Sequence, residues 1–201
     1  MQPLRRVVRA PATAIAAVAL TVLIAACGSD DPAPDAVGER AAATRSVDAS
    51  GDGEALALGQ RTVSPFVDYG GREQPTKVGV RVLEVRKGRI GDLKDFNLDR
   101  KQRRSVPYYI DAEFENRGAF TLSRNLLRPS VEDRGGREYR PATLIVLGGT
   151  FKPCPQSRET KLAPGESFTG CSAVLLPESA ELGRVRFQGD VTKDPLFWQP
   201  Q

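Results

Sequence analysis

Beyond Thr76 the chain sets apolar side chains at every second position in short runs, and this alternation restricts what it can fold into. Within Lys77–Val85, Val78, Val80 and Val82 fall on one face. Within Tyr108–Glu115, Tyr108, Ile110, Ala112 and Phe114 point one way, and Tyr109, Asp111, Glu113 and Glu115 the other. A repeat of two is that of a half-buried strand. Further strands are expected over 129–132, 142–147, 167–169, 172–176 and 184–188, with turns at Asn116-Arg117-Gly118, Arg134-Gly135-Gly136 and Pro164-Gly165-Glu166. No segment sustains a helical repeat over twelve residues. Short strands with turns between them predict an all-β antiparallel sandwich or barrel over 76–201. About 125 residues suffice for one such core. Residues 87–105 are expected as a long inter-strand connection containing at most a helical turn. Phe197 and Trp198, among prolines near residue 201, suit either an exposed aromatic patch or a last strand packed on the sandwich. Asn116 precedes Arg117 and Gly118, which makes it a turn residue and not a glycosylation acceptor.

The N-terminal stretch has a different grammar. Arg5, Arg6 and Arg9 precede an apolar run from Ala10 to Ala26 broken only by Pro11 and two threonines, and no charge follows until Asp30. A bilayer span needs roughly 18–20 apolar residues, so the run is marginal as a stable span and fits a secretory signal better. It ends in Ile24-Ala25-Ala26-Cys27 followed by Gly28-Ser29, which resembles the lipobox of bacterial lipoproteins. That resemblance implies a signal peptide over 1–26, lipid on the Cys27 sulfur (a diacylglyceryl, palmitate-type anchor), and cleavage just before Cys27. The expected location is the extracytoplasmic face of the cell membrane. Two acyl chains anchor stably where one does not, at about 0.8 kcal/mol per buried CH₂. Residues 27–54 follow as an acidic linker, with seven acids against two arginines and no aromatic residue over 28–54. Such a composition cannot offset its ordering entropy, so disorder is expected. Residues 55–75 form a lead-in with no defined pattern.

With Cys27 assigned to lipid, Cys154 and Cys171 remain as a pair with 16 residues between them. In an oxidising compartment a disulfide is the default, and a loop of that size contributes about 3 kcal/mol in the chain-entropy model.

The ordered features beyond Thr76 also resemble a known group. They are Lys87-Gly88-Arg89-Ile90-Gly91-Asp92-Leu93-Lys94-Asp95-Phe96, the strand from Tyr108 ending in Glu115-Asn116-Arg117-Gly118, and Cys154 through Pro177 with its Leu162-Ala163-Pro164-Gly165-Glu166-Ser167 turn. Together they are similar to the immunoglobulin-like (telokin-like) domains of unknown function carried by actinobacterial lipoproteins. The resemblance implies a β-sandwich, a Cys154–Cys171 disulfide and no established activity, and it supplies no catalytic residue.

The chemistry open to the chain is narrow. It contains no His, which removes Ser-His-Asp and Cys-His nucleophilic sites and most zinc sites. There is no Ser-x-x-Lys pair and no phosphate-binding glycine loop. A non-catalytic binding module without cofactor is therefore expected. The one oxygen-rich cluster is Asp92, Asp95, Asn97 and Asp99. Alternate acids suit a Ca²⁺ loop, but Arg100 stands where such a loop has its glycine. The alternative reading is thus a small-ligand or Ca²⁺ carrier using residues 88–104. The same region holds Arg86, Lys87, Arg89, Lys94, Arg100, Lys101, Arg103 and Arg104. These bases suit a solvated loop, or contact with anionic headgroups, an envelope protein or an acidic envelope polymer. No nucleic-acid role is expected outside the membrane.

Overall fold

A computed structural model describes residues 55–69, 74–145 and 150–200. The expected signal peptide 1–26, lipidated Cys27 and linker 27–54 lie outside the described residues. Eleven strands follow in order: β1 (Leu56–Ala57), β2 (Arg61–Val67), β3 (Pro75–Lys87), β4 (Ser105–Asn116), β5 (Leu122–Ser123), β6 (Ser130–Asp133), β7 (Glu138–Tyr139), β8 (Lys161–Leu162), β9 (Ser167–Pro177), β10 (Leu182–Phe187) and β11 (Leu196–Gln199). One sheet has the order β1-β11-β10-β6-β7, the other β2-β3-β4-β9, and β5 pairs with β8 apart from both. All pairings are antiparallel except β1 with β11. The chain crosses from one sheet to the other and back, and the result is an antiparallel β-sandwich, one of the two forms the alternation predicted, of the immunoglobulin-like class that the resemblance implied.

The core lies between the sheets. Val78, Val80 and Val82 of β3 and Ile110, Ala112 and Phe114 of β4 are buried there with Val174 and Leu176 of β9. Val131, Val185, Phe187 and Trp198 face them from the other sheet. Phe114 stacks on Phe168 at 5.5 Å between centroids and meets Phe187 across the sandwich, also at 5.5 Å. Burying each such side chain contributes about 1.5–3 kcal/mol. The β3–β4 register shifts between Val82 and Glu84. A bulge there inserts one residue, so Val85 packs on the core and Glu84 stays outside.

Three expectations meet a different structure. The sandwich begins at Leu56, because β1 and β2 occupy much of the 55–75 stretch read only as a lead-in. The buried face of β2 carries Thr62, Ser64 and Phe66, and Pro65 points outward, so polar residues and a proline mask its alternation. Proline is tolerated there because β2 is an edge strand. The expected strands 167–169 and 172–176 are one strand, β9, which keeps register with β4 through Gly170↔Ala112 and Cys171↔Asp111. The expected strand 142–147 reduces to a single bridge, Pro141 to Val174, and a hydrogen bond from Ala142 N to Ala173 O at 2.8 Å. Proline lacks the N–H that would extend that ladder. Residues 146–149 of that run lie outside the described residues.

Phe197 and Trp198 belong to the packed last strand. Trp198 is fully buried, and its indole N–H donates to Gln60 O at 3.1 Å. Phe197 lies under the Arg184 guanidinium, 3.4 Å from the ring centroid.

Candidate functional site

The 88–104 connection is held by a second apolar cluster on the outer face of the β2-β3-β4-β9 sheet. Alternation along β4 turns Tyr109 to that face while Tyr108 packs on the main core. Tyr109 is buried there with Leu93, Leu98, Phe151, Cys154 and Ala173. Phe151 meets Phe96 edge-on at 5.1 Å and Tyr109 at 5.8 Å. Short 3₁₀ turns at Ile90–Leu93 and Gln102–Arg104 bend the connection over this cluster. Gly88 is required at its start, since a Cβ there would lie 2.4 Å from the Tyr109 ring. The Cys154–Cys171 disulfide, with Cα atoms 5.3 Å apart, ties the 151–156 segment to β9 beside the same cluster.

Two of the three acids singled out for calcium are used within this cover. Asp92 Oδ2 accepts from Arg89 N at 2.9 Å and from the Tyr109 hydroxyl at 3.2 Å. Asp99 Oδ1 accepts from Lys101 N at 2.7 Å and Gln102 N at 2.8 Å. Asp95 is exposed. Among the described residues no three acidic or cysteine side chains come together as a group able to hold a metal ion. The structure therefore uses Asp92 and Asp99 to close backbone turns, and it does not gather Asp92, Asp95 and Asp99.

Burial pushes the Tyr109 phenol well above its ordinary value, and the neighbouring Asp92 carboxylate adds to the effect. A raised folded-state value favours the neutral phenol, so this contribution is complete below about pH 10 and is lost as pH rises toward the folded value. Tyr109→Phe is expected to cost about 1 kcal/mol at neutral pH for the lost hydrogen bond. Urea unfolding between about pH 8 and pH 11 should then show a flatter alkaline decline than the parent. An unchanged slope would mean that Tyr109 does not titrate against folding.

The other outward side chains of β4 form an ion-pair ladder. Asp111 accepts from Arg86 Nη2 at 2.7 Å, Glu113 meets Arg61 and Arg81, and Glu115 meets Arg61 at 2.7 Å and Arg117 at 3.1 Å. Arg86 also donates to Pro153 O at 3.1 Å, so it is an anchor of the cover and not a free base. This divides the basic region. Arg103 Nε donates to Leu98 O at 2.9 Å, whereas Arg100, Lys101 and Arg104 are exposed and form no ion pair among the described residues.

Of these three, Lys101 borders a groove of about 310 Å³. Lys101 and Gln102 line it from one side, Arg137, Tyr139 and Arg140 from the other, and Leu175 and Pro177 of β9 lie in its wall. Arg137 stands 5.5 Å from the Tyr139 ring centroid, and the Tyr139 hydroxyl donates to Asp133 at 3.0 Å. Arg140 is largely exposed and only loosely paired, 3.6 Å from Glu138. Asp99 is the one acid lining the groove, and its Oδ1 is already occupied. Arg137 and Arg140 were not singled out from the sequence, because they stand far along the chain from the basic run and alternate there with Glu132, Asp133 and Glu138, so no basic run marks them. A larger hollow of about 630 Å³ lies beside β10. Its charges are mixed, and Glu132 there is engaged by Arg184 at 2.8 Å and Arg186 at 3.4 Å.

No family model matches this chain. No curated protein matches it either. The crystal structure of a secreted protein from Mycobacterium tuberculosis, MPT63, is similar, with a TM-score of 0.49 and 15% sequence identity over 75% of this chain and 100% of that one. Agreement at that level bears on neither activity nor partner.

Proposed function

We propose that this protein is a lipid-anchored, non-catalytic binding module on the extracytoplasmic face of the cell membrane, and that its groove receives an acidic envelope polymer. The observation that carries the partner class is the meeting of Lys101 with Arg137 and Arg140 across a groove whose single lining acid is already engaged. Arg100 and Arg104 are exposed and adjoin its lining residues Lys101 and Ser105 in the chain. Each base near a strongly anionic surface contributes about 1 kcal/mol, screened by salt. The anchor rests on Arg5, Arg6 and Arg9, the apolar run to Ala26 and the Ile24–Cys27 lipobox. A disulfide suits the same compartment. On this reading the acidic linker holds the domain off the surface and lets it sample orientations.

The test uses the full chain in detergent with dextran sulfate as the polyanion and neutral dextran as control. The parent is expected to bind dextran sulfate with an affinity that falls steeply with salt, and to ignore dextran. Replacing Arg100, Lys101, Arg137 and Arg140 together by Glu should weaken binding by at least about tenfold. Equal affinity in that variant would overturn the groove. In cells, Cys27→Ser should release the protein from membranes, and unchanged retention would overturn the anchor.

A further inference from the structure

We propose that a second, smaller cavity beside the disulfide binds one oxyanion of phosphate or sulfate size between Arg124 and Arg128. This cavity is distinct from the groove and has a volume of about 70 Å³. Arg124, Arg128, Gln156 and Ser157 line it, and Glu159 is its one acid. A water molecule's share of liquid volume is about 30 Å³, so the space suits about two waters or one small tetrahedral anion.

The arginines are what call for a counter-charge. Arg124 opens the 3₁₀ turn Arg124–Leu126, and its guanidinium lies over the Phe168 ring at 4.9 Å. Its side chain is only 15% exposed, and its Nε is buried without a hydrogen-bond partner. The carboxylate paired with it, Glu166, stands off at 3.6 Å and accepts from Ala163 N at 2.8 Å with the same oxygen. Arg128 donates from Nη2 to Ala142 O at 3.1 Å and forms no ion pair among the described residues. Burial lowers its pKa, with no carboxylate opposing that effect. Glu159 Oε1 accepts from Lys161 N at 3.0 Å. Desolvated guanidinium without a full partner is unfavourable, and a bound oxyanion would supply acceptors for the unused Nη donors of Arg124 and for the unused donors of Arg128. The planar guanidinium fork matches phosphate and sulfate oxygens in pairs. Gln156 donates to Cys154 O and Cys171 O, each at 3.2 Å, so one wall of the cavity is fixed to the disulfide.

The same chemistry could be presented by a free ion or by a terminal phosphate ester. The experiment titrates the full chain in detergent with inorganic phosphate or glycerol phosphate, against chloride at matched ionic strength. Calorimetry is read alongside the Arg124 Nε–H resonance. A saturable shift of that resonance with phosphate is expected, and none with chloride. Arg128→Gln should reduce affinity roughly tenfold while the circular dichroism spectrum is retained. The quadruple groove variant should bind phosphate as the parent does, which separates this site from the proposed function. Binding of phosphate alone assigns a free anion, and binding of both ligands assigns a phosphate-ester terminus. A resonance that does not move, or that moves equally in chloride, overturns the proposal.

Discussion

Replacing both Cys154 and Cys171 by alanine lowers the unfolding free energy of the oxidised protein by about 2–5 kcal/mol. The pair is separated by 17 positions, so the bond closes a loop of moderate size in the unfolded chain. That entropic share alone is about 3 kcal/mol. The native contacts point the same way. Cys154 is fully buried in the second apolar cluster, and the segment it anchors supplies Phe151, which packs on both Phe96 and Tyr109. Arg86 reaches from β3 to Pro153 O on the same segment. Loss of the bond frees this segment, and Leu93 and Leu98 then lose part of their cover. The double alanine variant avoids leaving a buried hydroxyl, so the measured change reports the bond and its packing. Urea unfolding of parent and variant, each with its own slope, checks the result. A variant as stable as the parent would mean that the 88–104 cover stands without the bridge. Hydrogen exchange should localise the weakening to 88–104 and 151–156 ahead of the β3–β4 pair.

The parts of this fold that were legible in the sequence are those where one strand carries its own pattern. Val78, Val80 and Val82 alternate without interruption, and β4 separates Ile110, Ala112 and Phe114 from Asp111, Glu113 and Glu115 so cleanly that both faces could be assigned. β2 was hidden because Thr62 and Ser64 take buried positions where apolar residues give the signal. The second cluster was illegible for another reason. Leu93, Leu98, Phe151 and Ala173 come from three separate segments and share no period, so only tertiary structure brings them together. The candidate binding groove was half legible. Arg100, Lys101 and Arg104 stand in a visible basic run, but nothing local connects them with Arg137 and Arg140. The run also overstated the free charge, since Arg86 and Arg103 are held by Asp111 and by Leu98 O. The alternation of Asp95, Asn97 and Asp99 looked like ligand spacing because acids that cap turns and acids that bind cations use the same short loops.

Asn116→Ala is expected to cost about 3–5 kcal/mol, a loss confined to a few kinds of site. Asn116 ends β4 and is fully buried. Its Nδ2 donates to Phe120 O at 2.8 Å and Leu162 O at 2.9 Å, while its Oδ1 accepts from Gly118 N at 2.9 Å. Its backbone N–H donates to Glu166 O at 2.9 Å, and its carbonyl accepts from Gly165 N at 2.8 Å. One side chain thus joins the end of β4, the 117–120 loop and β8, and the backbone adds the 163–166 turn. The sequence marked Asn116 as a turn residue, since Asn before Arg-Gly is a turn signal, but burial is invisible in that signal. Alanine removes a donor from two carbonyls and the acceptor of an amide, at about 1–3 kcal/mol for each group left buried and unsatisfied. Asn116→Asp is the sharper variant because it keeps the shape. At neutral pH its carboxylate would face two carbonyl oxygens, so the fold favours the protonated acid and raises its pKa above the unfolded value of about 3.9. The stability it retains is therefore present below that value and is lost as pH rises through the folded one. Urea unfolding should show the Asp variant near the alanine variant at pH 7, and recovering toward the parent near about pH 4. Parent-like stability of the Asp variant at pH 7 would mean that water, and not Asn116, satisfies these carbonyls.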